Sequence, residues 1–284
     1  MLRFEAVSKT YKNGVRALDN VSFDMRSGEI VGFIGENGAG KTSLMKCVSK
    51  ALFLSSGKIE FNGIDIQSKS NALDEIGFLI SSSFYNHLSA YENLIYYLKI
   101  HGNSNKIKEI KGLLESVGLY KRKDDKVSTF SFGMKQRLAL VMCLITKPKL
   151  LILDEPFIGL DHLGKEEMFK VIKKSVIQDG TMALISSHQF DDLEKLCDRF
   201  IFIKDGRIAY DGKADFKRRV IFKLDKPYKG KLTRNVHTTK INELVVEVKG
   251  KELDDFIRSI EENYIIEDIE IKRDKMSNLL YKSQ

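Results

Sequence analysis

Two groups of residues in this 284-residue chain have the types and spacing for chemistry on phosphates. The first is the stretch 35–42, which reads GENGAGKT and satisfies the pattern GxxxxGK[ST]. Glycines let backbone N–H groups surround an anion, Lys41 places a positive charge on the outer phosphates, and the Thr42 hydroxyl can bind Mg²⁺. The apolar run 29–34 reads as a buried strand and residues 41–52 as a helix, which is the setting this pattern requires. The stretch predicts a site for nucleotide phosphates.

The second group follows the apolar run 150–153, which ends in two acids. Asp154, at the carboxyl end of a predicted strand, is placed to hold Mg²⁺ through its water shell. Glu155 beside it is placed to polarise an attacking water. Together with the phosphate loop upstream, this pair predicts hydrolysis.

These residues need a scaffold, and the chain supplies strands that alternate with helices. Such alternation predicts an α/β fold with a mixed, mostly parallel sheet. With the phosphate loop in place, this fold is the core of a P-loop NTPase. The runs 2–7 and 15–23, on either side of an Asn13–Gly14 turn, predict an antiparallel β subdomain at the amino terminus. Residues 84–147 read as an inserted helical subdomain that starts with a capping box at Ser89.

The sequence pattern changes after Gly212. A small β-β-α-β appendage is predicted there from two strand-like runs, an amphipathic helix at 252–262 and a final alternating run. We therefore expect a nucleotide-binding domain over 1–212 and an α+β accessory domain over 213–284. The longest apolar run, 138–145, is about half of a membrane span. A soluble chain is expected, with any membrane role exercised through a partner.

The net charge of +8 is concentrated in one segment. Residues 213–240 hold ten Lys or Arg and two acids, and the rest of the chain is neutral. A basic stretch is more often a solvated face than a binding site, so no nucleic-acid partner is expected. Cys47, Cys143 and Cys197 are odd in number and far apart, which favours buried, reduced thiols.

Further motifs carry a family resemblance. Residues 130–137 read FSFGMKQR, Gly159-Leu160-Asp161 follows the acidic pair, and His188 closes a Ser-Ser-His run. In this order, and with Tyr11 ahead of the first turn, they resemble the nucleotide-binding domain of ATP-binding-cassette (ABC) transporters over residues 1–212. The stretch 130–134 is similar to the family signature, usually LSGGQ.

The resemblance implies an ATP-hydrolysing dimer in which each ATP lies between the phosphate loop of one subunit and the signature of the other. Glu155 and His188 are then catalytic, and Thr42 and Asp154 hold Mg²⁺. The expected nucleotide contacts are Tyr11, Gly35, Asn37, Gly38, Ala39, Gly40, Lys41, Thr42, Ser43, Ser131 and Gly133. An integral membrane transporter subunit is the implied partner, which places the chain at the cytoplasmic face of the membrane. Homodimer and heterodimer both stay open, as does the cargo.

One position departs from the family. The glutamine usually found at the end of the strand before the helical insert is replaced by Ser81, whose short side chain cannot reach Mg²⁺ and water as an amide arm can. We expect either a substituting water with slower or loosely coupled hydrolysis, which we favour, or another residue in that role. With the Ser-x-Gly-Met-Lys-Gln-Arg signature and the small appendage, this looks like the bacitracin, lantibiotic and sodium-efflux exporters. Phe84 and Tyr85 are either the docking point for the membrane partner or ordinary core aromatics.

Three other functions compete with a transport ATPase. A soluble cassette ATPase acting on nucleic acid or the ribosome usually has two cassettes or a long coiled-coil insertion, and this chain has neither. The basic segment 213–240 keeps this alternative open, and salt-sensitive binding of RNA or DNA would support it. A non-hydrolysing regulatory subunit is disfavoured by the intact Glu155. A nucleotide kinase would leave the signature at 130–137 without a role.

Overall fold

The computed structural model describes residues 1–68, 73–81, 83–213, 218–231, 235–248 and 252–273. The chain forms two compact units, Met1–Lys213 and Ala214–Gln284. No described helix is long and apolar enough to span a membrane.

The first unit opens with an antiparallel sheet. Its strands are β1 (Leu2–Thr10), β2 (Arg16–Met25), β4 (Ser56–Phe61) and β5 (Ile64–Asp65), in the order β2-β1-β4-β5. The turn between β4 and β5 places Asn62 and Gly63 at φ 51° and 78°, as a two-residue hairpin requires. The predicted amino-terminal β subdomain is present.

The central sheet has six strands in the order β10-β9-β3-β8-β7-β6. They are β3 (Ile30–Ile34), β6 (Ile76–Leu79), β7 (Leu150–Asp154), β8 (Met182–Ser187), β9 (Arg199–Lys204) and β10 (Arg207–Lys213). All pairings are parallel except that of β10 with β9. All five residues of β3 are buried, because the strand lies inside a sheet covered on both faces.

The helices of this unit are α1 (Lys41–Val48), α2 (Ala90–Ile100), α3 (Ile110–Ser116), α4 (Phe132–Leu144), α5 (His162–Asp179) and α6 (Phe190–Glu194). Helices α2 to α4 lie between β6 and β7, as the inserted helical block predicts. The capping box is confirmed, since Ser89 accepts from Glu92 N and Glu92 accepts from Ser89 N. Residues 104–109, ahead of α3, form a 3₁₀ turn.

The predicted end of the first helix at Leu52 was wrong. Helix α1 stops at Val48, and Lys50 adopts a left-handed φ of 60°. That conformation turns the chain out of the helix, and Leu52 N donates to Lys46 O instead, at 3.0 Å.

Aromatic side chains join the two sheets of the first unit. The Phe4 and Phe23 rings stack with centroids 4.2 Å apart, and Phe23 lies 6.0 Å from Phe33 of β3. Burying one such ring stabilises the fold by about 1.5–3 kcal/mol. The cluster therefore anchors β3, and with it the loop that follows β3.

All three cysteines are free and buried. Burial raises the pKa of Cys47 to about 11 and that of Cys143 to about 12, and it also raises the pKa of Cys197. These thiols are therefore protonated and unreactive at neutral pH.

The second unit consists of β11 (Arg218–Leu224), β12 (Val236–Lys240), β13 (Glu243–Val248), α7 (Glu252–Glu261) and β14 (Ile266–Arg273). Its sheet order is β12-β13-β11-β14. Leu253 and Ile260 of α7 pack with Phe222 and Val246 of the sheet, which confirms the predicted amphipathic helix. Strand β12 was not predicted, because Val-His-Thr-Thr-Lys has one aliphatic residue, which suffices for an edge strand.

The basic segment 213–240 makes local contacts where it is described; residues 214–217 and 232–234 lie outside the described residues. Lys223 pairs with Asp268 at 3.1 Å and Lys240 with Glu243 at 3.1 Å. The Lys226 ammonium lies 5.4 Å from the centroid of the Tyr264 ring. Each of these three contacts joins residues of the second unit.

Candidate functional site

The loop between β3 and α1 has a backbone that only glycine permits at two of its turns. Gly38 and Gly40 have φ values of 86° and 113°. A Cβ at Gly40 would overlap the carbonyl oxygen of Ala17, and a Cβ at Gly35 would lie 2.5 Å from the carbonyl oxygen of Ile203. Helix α1 has neither a capping side chain nor an acid in its first turn. Its first N–H groups are thus left for an anion.

Lys41 points its charge into this loop. Only 6% of its side chain is exposed, and Nζ donates to Gly35 O at 2.7 Å and to Glu36 O at 3.1 Å. Burial lowers the pKa of Lys41, and the negative charges of Glu155 and Asp154 act in the opposite direction. An anionic ligand would add to their effect and strengthen the charged form.

The loop borders a cavity of about 150 Å³. Its lining combines the loop with one acid from the end of β7: Asn37, Gly38, Gly40, Lys41, Thr42, Ser43 and Glu155. The structure therefore brings the predicted phosphate loop and the predicted catalytic acid to one place.

Asp154 ends β7 opposite the start of α1. The Thr42 hydroxyl donates to Asp154 Oδ2 at 2.7 Å, and the Ser186 hydroxyl donates to Asp154 Oδ1. Mg²⁺ prefers hard oxygen ligands such as a hydroxyl and a carboxylate. The Thr42 and Asp154 oxygens are within hydrogen-bond distance of each other, so the pair fits this ion.

Ser186 is a functional residue that the sequence did not reveal. It is fully buried, and besides its bond to Asp154 its Oγ accepts from Glu155 N at 2.9 Å. It therefore orients both acids. The available signal was its place at the end of an apolar run, but the pairing of Asp154 with Ser186 follows only from the neighbouring positions of β7 and β8.

Glu155 is held in a strained conformation with His188 beside it. Its φ of 49° is rare for a residue other than glycine and is typical of functional sites. Glu155 Oε1 lies 2.9 Å from His188 Nδ1 and 3.8 Å from Lys41 Nζ. The two predicted catalytic residues thus meet at the open side of the phosphate loop.

Ser131 and Gly133 do not line this cavity. Ser131 is the N-cap of α4 and its Oγ accepts from Met134 N at 3.2 Å. A Cβ at Gly133 would lie 3.0 Å from the carbonyl oxygen of Gly159. Helix α4 has no acid in its first turn, so its N-terminus, like that of α1, favours binding of an anion.

Tyr11 follows β1 and reaches α1. Its hydroxyl lies 3.0 Å from Ser43 Oγ, and the Lys9 ammonium lies 5.7 Å from its ring centroid. Both predicted residues, Tyr11 and Ser43, are therefore next to the phosphate loop, and Ser43 holds the tyrosine hydroxyl.

Ser81 is exposed and lies two residues beyond β6. It borders a groove of about 300 Å³ with an aromatic lining that includes Phe84, Tyr85, Tyr96 and Tyr97. Phe84 is half-buried and 47% of Tyr85 is exposed. Tyr85 is therefore not an ordinary core aromatic.

Comparisons with known proteins identify the family of this chain. The ABC transporter family model matches residues 18–158. The uncharacterized ABC transporter ATP-binding protein YhcH of Bacillus subtilis is 34% identical over 88% of this chain and 83% of its own length. The lantibiotic transport ATP-binding protein SrtF of Streptococcus pyogenes is 37% identical over 78% of this chain and 98% of its own length.

Among solved structures, the ATP-binding subunit of an ABC transporter superposes with a TM-score of 0.70 at 27% identity, over 76% of this chain and 90% of that one. The matched range 18–158 contains the phosphate loop at 35–42 and the acids Asp154 and Glu155. The chain belongs to the ATP-binding subunits of ABC transporters, which bind and hydrolyse ATP.

Proposed function

We propose that this chain is the ATPase half of an exporter and that it works as a homodimer with two composite sites. The observation that carries the proposal is the meeting of Lys41, Glu155 and His188 at the mouth of the phosphate loop, with Asp154 bonded to Thr42. One chain supplies both a complete loop and a complete signature, so two copies can form two equal sites.

Each residue then has a separate task on ATP. The loop N–H groups and Lys41 bind the β- and γ-phosphates, and Tyr11 stacks on the base. Glu155 accepts the proton of the attacking water, while His188 hydrogen-bonds the γ-phosphate and keeps that water in place. Thr42 and Asp154 would hold Mg²⁺, which supplies charge neutralisation on the phosphates when it is bound.

The second chain completes the site. Ser131 is the N-cap of α4 and Gly133 lies in its first turn. In a dimer, the first N–H groups of this helix would bind the γ-phosphate held by the other chain's loop. ATP then joins the two chains, and its hydrolysis lets them part. This cycle of dimer closure and opening can drive conformational change in a membrane partner.

The groove beside Ser81 is our proposed contact for the membrane partner. It is concave and aromatic, and its residues Tyr85 and Tyr96 remain 47% and 41% exposed. Exposed aromatic side chains of this kind are typical of binding surfaces. The chain would then work at the cytoplasmic face of the membrane, and the resemblance of its motifs to the bacitracin, lantibiotic and sodium-efflux exporters is the ground for export as the direction.

Metal removal tests the hydrolytic part of this proposal. The purified chain is expected to release phosphate from ATP in the presence of Mg²⁺, and chelation with EDTA should lower the rate by about 100-fold or more, because several kcal/mol of charge stabilisation are lost. A phosphate-release assay with restored Mg²⁺ as the control measures this. A rate that is indifferent to EDTA would contradict the proposed roles of Thr42 and Asp154.

The substitution Ser81→Gln tests the departure at the end of β6. An amide arm can reach the metal and the water where serine cannot, so we expect a several-fold higher rate, about 2- to 10-fold, and an altered Mg²⁺ dependence. Ser83→Gln, in the same exposed stretch, is the matched control and should leave both quantities unchanged. If Ser81→Gln also leaves both unchanged, Ser81 has no part in hydrolysis.

A further inference from the structure

Phe132, the third residue of the signature at 130–134, lies directly on Gly159. A Cβ added to Gly159 would stand 2.9 Å from Phe132 Cε1 and closer still to Cδ1. Gly159 also has a φ of 73°, which side-chain-bearing residues rarely adopt. The ring therefore occupies the space that any other residue at 159 would need.

Leu160 makes a second contact between the same two segments. Its Cδ2 would lie 3.1 Å from a Cβ on Gly133 of α4 and 3.5 Å from a Cβ on Gly164 of α5. One leucine thus packs against two helices at positions where neither has a side chain. The start of α4 and residues 156–161 are joined at two points.

The other end of residues 156–161 leads to the catalytic acid. Ile158 N donates to Glu155 O at 3.4 Å and Leu160 N donates to Phe157 O at 3.3 Å. Phe157 is buried, and its ring meets that of Phe169 edge-on at 4.8 Å. The path from Gly159 to Glu155 is therefore short, hydrogen-bonded and anchored in the core.

We propose that Phe132 is a positioning residue that fixes Glu155 according to what is bound at the signature of the same chain. Contact of the partner's nucleotide with Ser131 and Gly133 shifts the start of α4. The Phe132 ring moves with α4 and displaces Gly159, and residues 156–161 transmit this displacement to Glu155. Nucleotide bound at the signature of one chain thereby controls hydrolysis at the phosphate loop of that same chain. This inference rests on the proposed composite site.

Packing alone does not account for Phe132. The residue is 58% exposed, so the ring is not needed to fill the core. The family signature usually has a glycine here, which has no side chain to place on Gly159. The contact between Phe132 and Gly159 is thus a feature of this sequence.

A double-mutant cycle tests the proposal, with ATPase rate and binding of a fluorescent ATP analogue as readouts. Phe132→Gly should lower kcat by about tenfold and leave KM and analogue affinity within about twofold, because the phosphate loop is untouched. Gly159→Ala should lower kcat by about 100-fold in the parent, and its penalty should be about tenfold smaller in the Phe132→Gly background, where the overlap is absent. The Phe132→Leu variant should keep most of the parent kcat.

Leu163→Ala is the matched control, since Leu163 is 68% exposed at the start of α5, and it should keep the parent rate. Equal Gly159→Ala penalties in the two backgrounds, or a Phe132→Gly variant that changes KM and analogue affinity but not kcat, would overturn the proposal. A parent without ATPase activity would instead refute the proposed function, so the two failures are distinguishable.

Discussion

The variant Glu155→Gln is expected to bind ATP with nearly the parent affinity and to hydrolyse it about 10²- to 10⁴-fold more slowly. The amide keeps the size of the side chain and its oxygen can still lie beside His188 Nδ1, but it cannot accept a proton from water. Single-turnover phosphate release, measured beside equilibrium nucleotide binding, separates the two effects.

The matched control for this variant is Glu115→Gln. Glu115 is half-exposed on α3, and its partner Lys111 lies 4.0 Å away. Such surface pairs contribute at most about 1 kcal/mol, so neither binding nor hydrolysis should change. A Glu155→Gln protein that turns over ATP at the parent rate would show that another residue is the base.

The variant Lys41→Met is expected to lose ATP affinity. Its ammonium is the buried positive charge of the loop, and Met keeps the length of the side chain while removing that charge. The loss of a buried charge partner costs about 2–5 kcal/mol, which corresponds to a more than tenfold increase in Kd. Equilibrium binding of a fluorescent ATP analogue measures the change.

Lys46→Met, in the same helix, is the control for Lys41→Met. Lys46 lies in the last turn of α1, and it does not line the described phosphate cavity. It should bind the analogue like the parent. If Lys41→Met also binds like the parent, with an unchanged thermal midpoint, the loop is not the phosphate site.

The local parts of this account follow from the sequence because their causes are local. The buried run at 30–34, the glycines after it and the capping box at Ser89 each specify their own backbone, and the structure has β3, a loop and α2 at those places. The order of the motifs along the chain was likewise sufficient to indicate the family.

The remaining parts depend on contacts between segments distant in sequence. Ser186 is important because β8 is the neighbour of β7, and Phe132 because α4 begins beside Gly159. Nothing near Ser186 or Phe132 in sequence encodes those neighbours. Edge strand β12 was missed for another reason, since a strand paired on one side needs few apolar residues.

The central claim is that ATP is bound between two copies of this chain. Light scattering of Glu155→Gln, without nucleotide and then with ATP and Mg²⁺, tests it most directly. We expect the mass of one 32.4 kDa chain without nucleotide and twice that mass with ATP. A second substitution, Ser131→Arg, should abolish the ATP-dependent dimer while leaving ATP binding to the phosphate loop. A protein that binds ATP yet stays monomeric, or that dimerises regardless of ATP, would contradict the account.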